Sequence, residues 1–294
     1  MANIPNTLYK YVTPERIDIL KNLNIRFTQP SALNDPFEFN LSFQELISST
    51  QIHDHFSSTG AEQTFQNILS KMSHDEKEII NQLSSTQLAD LKSNLANKFL
   101  SLSNIERINK EYIKPNTPRV KNELYSGLNK SIGVLSLTSN CSIPSMWANY
   151  ADNSKGFAIG FNTQNTFFNR RRSNSDEFYH LRKVIYDDIP PAGNVSEMNG
   201  NLLILKNKCW AYEEEWRMLL PLNTADTEIN IDKENKISLF NYPADAISHI
   251  IFGINATEST IESTTKVIAS LTPNTQIEIF RITKGDTTLE LTPL

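Results

Sequence analysis

Glycine is the residue that most limits what this chain can build, because only nine glycines occur among its 294 residues. This share lies well below the ~7% of an average protein. The loops that hold phosphates in Rossmann and P-loop proteins need glycine at fixed spacing. Neither G-x-G-x-x-G nor G-x-x-x-x-G-K-[ST] occurs in the sequence. A nucleotide site in this chain must therefore be built on another architecture.

Charge and cysteine content set further limits. The sequence holds 28 Lys and Arg against 33 Asp and Glu, a formal net charge of −5. Proteins that coat nucleic acids carry a basic surface, so nucleic acid is not indicated as a partner. The sequence contains no apolar run of about 18 residues, no evident secretion signal and no disulfide framework. We therefore expect a cytoplasmic protein without a membrane span, and the scattered histidines and cysteines predict no metal site.

Strands and helices alternate along the chain without the regular spacing of βαβ units. This order predicts an α+β fold of small mixed or antiparallel sheets, in a single domain over residues 1–294. The stretch from Phe43 to Lys114 contains one glycine and no proline, which favours helices. We interpret the region from about 43 to 130 as a helical insertion within the domain. Its polar composition suits either a lid or a surface for a protein partner.

The most informative segment is residues 208–217, Lys-Cys-Trp-Ala-Tyr-Glu-Glu-Glu-Trp-Arg. On a strand, Trp216 and Met218 share the face that packs on the core, and Glu213, Glu215 and Arg217 share the other. Two carboxylates and a guanidinium are costly to bury unless they pair or act on a ligand. The face is either solvated with incidental ion pairs, or a site where the arginine orients a catalytic carboxylate.

A second candidate segment is residues 134–150, a strand followed by a helix that begins at Pro144. The strand places Ser136 and Thr138 on one face, and a buried hydroxyl needs a partner. The helix places Trp147 and Tyr150 on one side. These aromatic residues either belong to the core or form a platform for a ligand.

Two shorter motifs lie near the N-terminus. Asn34 and Asp35 precede a proline, an order typical of turns in which side chains bond their own backbone; the alternative is that they contact a ligand. Lys10 lies between Tyr9 and Tyr11, which predicts a core-packing strand or a cationic contact to a ligand.

Together these motifs resemble one bacterial family, catalogued as domain of unknown function 2971. The resemblance spans nearly the whole chain, with residues 43–130 its least characteristic part, and the family name implies no activity. It rests on four ordered motifs: Leu8-Tyr-Lys-Tyr11, Leu33-Asn-Asp-Pro-Phe-Glu38, Met146-Trp-Ala-Asn-Tyr150 with Lys155-Gly-Phe-Ala-Ile-Gly-Phe161, and Trp210-Ala-Tyr-Glu-Glu-Glu-Trp-Arg217.

More distantly, the chain is similar to the ADP-ribosyltransferase fold, which binds NAD in a cleft between two small sheets without a glycine-rich loop. Sites of that fold draw a basic residue from an early strand, a hydroxyl from a middle strand and a glutamate from a later strand, often in an E-x-E pair. The residues in matching order are Lys10, Ser136 or Thr138, and Glu213-x-Glu215.

This second resemblance implies roles for individual residues. Glu215 would hold a hydroxyl of the nicotinamide ribose and stabilise an oxocarbenium-like transition state. Ser136 would orient the cofactor, and Tyr11 or Trp147 would stack on the nicotinamide. The implied protein is an NAD-dependent transferase acting as a toxin or antiphage defence effector on a protein or nucleic acid.

Two other functions agree with the same residues. One is a non-catalytic module that binds a ligand or, through the helical insertion, a protein. In it Glu213, Glu215, Arg217 and Asp35 would form a closed ion-pair network. The other is a hydrolase or nuclease, whose signature would be a divalent metal bound by Asp35, Glu213 and Glu215.

Overall fold

A computed structural model describes residues 3–35, 37–39, 46–55, 61–99, 101–188, 200–231, 236–271 and 277–294. The chain divides into two compact units. The first consists of Met1–Asn40, Tyr125–Ile189 and Gly200–Leu294, and the second of Leu41–Leu124 and Pro190–Asn199. Within the region predicted as an insertion, residues 43–45, 56–60 and 100 lie outside the described residues.

Among the described residues, all strands belong to the first unit. Their bounds are β1 Thr7–Val12, β2 Asn24–Phe27, β3 Ile132–Thr138, β4 Phe157–Asn162, β5 Leu181–Lys183, β6 Ile185–Tyr186, β7 Leu205–Lys206, β8 Glu215–Pro221, β9 Thr227–Asn230, β10 Lys236–Asn241, β11 Ile247–Phe252, β12 Glu278–Lys284 and β13 Leu289–Pro293.

These strands form three sheets. The largest has eight strands in the order β13-β12-β11-β4-β1-β3-β8-β5, and only its β11–β12 pair is parallel among the described residues. The antiparallel sheet β2-β10-β9 and the parallel pair β6-β7 complete the set. Mixed and antiparallel sheets beside helices confirm the predicted α+β class.

Helices occur in both units. Their bounds are α1 Asp18–Asn22, α2 Ser49–His55, α3 Ala61–Lys71, α4 His74–Asn81, α5 Ser85–Phe99, α6 Leu102–Ile108, α7 Lys114–Ser131, α8 Pro144–Tyr150 and α9 Glu258–Leu271. Helices α2 to α6 lie within the second unit. No helix among the described residues combines the length and apolarity that crossing a membrane requires.

The core of the first unit forms on one face of the large sheet. Trp216, Met218 and Leu220 of β8 pack there with Leu135 and Leu137 of β3, as the alternation along both strands predicts. On the opposite face of β3 and β8, the side chains change from apolar at one end of the strands to polar at the other. Because side chains on a strand alternate between faces, the polar side chains at that end point away from this core and can form a site.

Glycine serves this fold at close backbone contacts. A Cβ on Gly156 would lie 2.0 Å from the carbonyl oxygen of Val12, and one on Gly253 would lie 2.1 Å from that of Ser154. Among the described residues no glycine has positive φ. The left-handed positions are held by other residues, namely Leu23, Phe39, Asp152, Asn153, Ser154, Tyr179 and Glu214.

Candidate functional site

A cavity of about 160 Å³ opens in the first unit, at the polar end of β3 and β8. All but two of the residues predicted for the site line it. These are Lys10, Tyr11, Asn34, Ser136, Thr138, Tyr150, Glu213, Glu215 and Arg217. Among the described residues, Asp35 and Trp147 are not part of the lining.

Three neighbouring strands bring the central residues together. In the β3–β8 pair, Ser136 lies opposite Arg217 and Thr138 opposite Glu215. Strands β1 and β3 pair at Tyr9 and Thr138. Because this is their one paired position within the described chain, the two strands separate beyond it. The Lys10 Nζ occupies the opening and donates to the Ser136 carbonyl oxygen at 3.1 Å.

Glu213 and Glu215 reach the cavity through an irregular backbone. Glu213 ends a 3₁₀ helix, Lys208–Glu213, and Glu214 follows in the left-handed conformation with φ 46° and ψ 46°. The Glu214 carboxylate turns to the surface, where it accepts hydrogen bonds from Ser139 Oγ at 2.9 Å and Asn140 Nδ2 at 3.3 Å. Both neighbouring carboxylates therefore face the cavity, as predicted, although Glu213 lies outside the strand.

Arg217 donates two hydrogen bonds to the Glu215 carboxylate. Its Nε donates to Glu215 Oε1 at 2.7 Å and its Nη2 to Oε2 at 3.0 Å. Nη2 also donates to Glu38 Oε1 at 2.7 Å. Arg217 is wholly buried, so its charge depends on these two carboxylates.

Lys206 joins all three carboxylates of the cavity. Its Nζ lies 2.6 Å from Glu213 Oε2, 2.9 Å from Glu215 Oε2 and 3.0 Å from Glu38 Oε1. We call these five side chains the ion-pair network: Glu38, Lys206, Glu213, Glu215 and Arg217. The network sets three carboxylates against two cations, a formal charge of −1, and Lys10, which lines the same cavity, supplies the third positive charge.

The pKa values of the buried groups follow from this arrangement. Burial would raise the pKa of Glu215, but Arg217 and Lys206 outweigh it and hold the value at about 2. Burial raises the pKa of Glu38, although Arg217 and Lys206 oppose it. Burial lowers the pKa of Lys10 to about 8, against the attraction of Glu215. At neutral pH, Glu215 is therefore a fixed negative charge.

A chain of hydrogen bonds connects the network to the N-terminal motif. The Tyr150 hydroxyl donates to Glu213 Oε1 at 2.6 Å, and Asn34 Nδ2 donates to the Tyr150 oxygen at 3.0 Å. The Asp35 Oδ1 accepts the Phe37 N–H at 2.9 Å, the contact expected of the turn interpretation. Pro36 of this motif lies outside the described residues.

The two aromatic residues proposed to stack on a ligand are placed differently. Tyr11 lines the cavity, and its hydroxyl donates to the Asn140 carbonyl oxygen at 3.2 Å. Trp147 is buried, edge-on to the Tyr11 ring at 4.9 Å, and its Nε1 donates to the Cys141 carbonyl oxygen at 2.8 Å. Of the two, Tyr11 is therefore the side chain that can meet a ligand in this cavity.

Residues 146–218 match the family model described as a protein of unknown function, DUF2971. The match includes the motifs at Met146–Tyr150, Lys155–Phe161 and Trp210–Arg217. It also includes Tyr150 and four of the five network residues, all except Glu38. No curated protein and no solved structure matches the chain.

Two network residues were not predicted as site residues. Lys206 lies within the DUF2971 segment, residues 146–218, and its signal was a basic residue directly after the apolar run Leu202–Leu205. Glu38 stood in a quoted motif, but its partner Arg217 is 179 positions away in sequence. Tyr186 was also missed, and its hydroxyl accepts the Glu215 N–H at 2.8 Å.

The acidic residues do not form a metal centre in the part of the chain that the structure describes. No group of three or more His, Cys, Asp or Glu side chains there is placed to hold a metal ion. Asp35, Glu213 and Glu215, considered from the sequence as metal ligands, are thus not such a group.

Proposed function

We propose that this chain is an NAD-dependent enzyme similar to ADP-ribosyltransferases. One observation carries the proposal: Lys10, Ser136 and Glu215 come from three neighbouring strands and line one cavity. These are the basic residue, the hydroxyl and the glutamate that the resemblance requires, in the required order along the chain. The cavity is lined without a glycine-rich loop, which agrees with the scarcity of glycine.

The proposed reaction begins with cleavage of the bond between ribose and nicotinamide. Nicotinamide leaves with the bonding electron pair, which neutralises its ring, and positive charge develops on the ribose. The buried Glu215 carboxylate stabilises that charge, since electrostatic interactions are stronger where water is excluded. A nucleophile on the target then bonds to the ribose carbon and loses its proton.

Glu215 must also accept a ribose hydroxyl in this scheme. Its carboxylate has about four acceptor positions, and it accepts two bonds from Arg217 and one from Lys206. The bonds from charged donors are the stronger ones. We therefore expect the substrate hydroxyl to take the remaining acceptor position of Glu215, while Ser136, which lines the same cavity, orients the cofactor.

The target and the biological role are part of the same proposal. The modified target would be a protein or a nucleic acid, and the enzyme would act as a toxin or antiphage effector in the bacterial cytoplasm. The helical region from about 43 to 130 would supply the surface that binds a protein partner.

Release of nicotinamide from NAD tests the proposed activity. We expect Glu215→Gln to lower the rate by roughly a hundredfold or more, since the stabilising charge is lost. Glu214→Gln is the matched control, because it makes the same change one residue away on the surface, and it should retain the wild-type rate. Circular dichroism identifies any variant that has not folded. Nicotinamide release by Glu215→Gln at the wild-type rate would contradict the proposal.

The ion-pair network favours a second candidate, a non-catalytic module that binds a ligand or a protein. Three of the roughly four acceptor positions of Glu215 are already engaged by Arg217 and Lys206, which suits a structural carboxylate as well as a catalytic one. This module would bind NAD or a related ligand and leave it intact. Binding measured by calorimetry, with no nicotinamide released over hours, would decide for the module.

A further inference from the structure

The ion-pair network contains one carboxylate oxygen that receives no hydrogen bond within the described residues. Glu38 is 4% exposed and lines the cavity. Its Oε1 takes both available bonds, from Arg217 and Lys206. Within the described residues its Oε2 is buried and has no hydrogen-bond partner. A buried acceptor without a donor costs free energy, so this oxygen favours a ligand that donates a hydrogen bond to it.

The other two carboxylates differ from Glu38 in this respect. Glu213 receives Tyr150 on one oxygen and Lys206 on the other. Glu215 receives Arg217 on one oxygen, and Arg217 and Lys206 on the other. Among these three carboxylates, Glu38 is thus the one with an oxygen that receives no donor within the described residues, and a ligand that donates to this oxygen displaces nothing.

Lys10 supplies the complementary group. Its Nζ has three donors, and the bond to the Ser136 carbonyl uses one of them. Among the described residues, none of its neighbours is a carboxylate at ion-pair distance. The remaining N–H groups suit a phosphate oxygen, which is a strong acceptor for an ammonium group.

We propose that Glu38 accepts a ring hydroxyl of a phosphorylated ribose through Oε2, while Lys10 binds its phosphate. A carboxylate bonded to a ribose hydroxyl is a common way in which proteins recognise nucleotides. Glu38 becomes a substrate contact in addition to Glu215, so the neighbouring hydroxyls of one ribose are shared between them. The inference rests on the proposed function, because NAD contains such a ribose next to a phosphate.

The test compares ribose 5-phosphate with its 2-deoxy and 3-deoxy analogues, using calorimetry on the full chain. We expect the wild-type protein to prefer ribose 5-phosphate by about tenfold over each analogue, the value of one charged hydrogen bond. In Glu38→Gln the preference over one of the two analogues should fall to about twofold or less. Glu214→Gln should keep both preferences.

Retention of both wild-type preferences in Glu38→Gln would overturn the inference, and so would a wild-type protein that does not discriminate between the sugars. If Glu38→Gln does not fold, Glu38→Asp replaces it, because the shorter side chain keeps the charge and withdraws Oε2. The proposed function fails separately, when wild-type protein releases no nicotinamide from NAD. Glu38-dependent discrimination can survive that failure, and nicotinamide release can survive the loss of discrimination.

Discussion

Lys206 determines the electrostatics of the cavity more than any other single residue. Three carboxylates lie within 3.0 Å of its Nζ. Burial would lower the pKa of Lys206, but the three carboxylates raise it above its usual value, so the side chain is always charged. Without the charge of Lys206, Arg217 would be the one cation in the network beside its three carboxylates.

Removal of Lys206 should therefore be strongly destabilising. We expect Lys206→Met to lower the free energy of unfolding by about 3–5 kcal/mol, the usual cost of leaving buried charges without their partner. Urea denaturation measures this loss.

Lys208→Met provides the control for this substitution. Lys208 is more than half exposed and pairs with Asp187 and Asp188 at 3.7 and 3.5 Å. Surface pairs of this kind contribute about 0–1 kcal/mol. Equal losses in the two variants would show that the network does not stabilise the fold.

The junction between the 3₁₀ helix Lys208–Glu213 and β8 orients two carboxylates, those of Glu213 and Glu215, toward the same cavity. Its left-handed residue, Glu214, reverses the chain direction between Glu213 and Glu215. A residue other than glycine in this conformation stores strain, and β-branched residues tolerate it least.

Substitutions at residue 214 should reveal this strain. We expect Glu214→Val to lower the free energy of unfolding by about 1–3 kcal/mol and to slow any reaction that needs Glu215. Glu214→Gly should stay close to the wild-type stability, because glycine adopts positive φ readily. Thermal unfolding and nicotinamide release measure the two effects, and a Val variant as stable as the Gly variant would contradict this expectation.

Regular elements were predictable from sequence because their signals are local. The helix Pro144–Tyr150 was predicted with its observed bounds, since a proline suits the first turn of a helix. The pair Thr13-Pro14 carries the same local signal, a capping residue followed by a first-turn proline, yet the chain there forms a 3₁₀ turn, Pro14–Ile17, and within the described structure the Thr13 side chain makes no capping bond.

The pairing of site residues was most predictable where they lie on strands of clear alternation. Ser136, Thr138, Glu215 and Arg217 follow from the pattern of β3 and β8. Lys206 could not be placed, because its strand β7 has two residues and carries no periodicity. Glu38 could not be paired with Arg217 either, since an ion pair between distant segments leaves no local signal.

At the scale of the whole molecule, the chain carries a net charge of −5, yet the formal charges of the side chains that line its cavity sum to zero. Three carboxylates there face Lys206, Arg217 and Lys10. Two of these cations are held by the network, and Lys10 is the one whose pKa is lowered into the range of ordinary buffers, to about 8. Anion binding at Lys10 therefore depends on pH, because the lysine has no positive charge once it loses its proton.

The affinity for ADP-ribose should fall as pH rises through about 8. Lys10 carries its charge below that pH, and a bound phosphate raises its pKa, so binding takes up a proton above pH 8 and becomes weaker. The phosphates themselves stay ionised between about pH 7 and 9.5. Calorimetry across that range measures the change. Lys10→Arg should bind with little pH dependence, because arginine stays charged, and an identical decline in that variant would assign the effect to another group.

The left-handed positions of the first unit also include a run of three residues that lies apart from the site. Asp152, Asn153 and Ser154 adopt positive φ in succession, and none of them is among the residues that line the cavity in the described structure. Glycine can take this conformation without the steric cost that other residues meet. Substitution of these residues by glycine would therefore test the stability of the fold without touching the chemistry of the site.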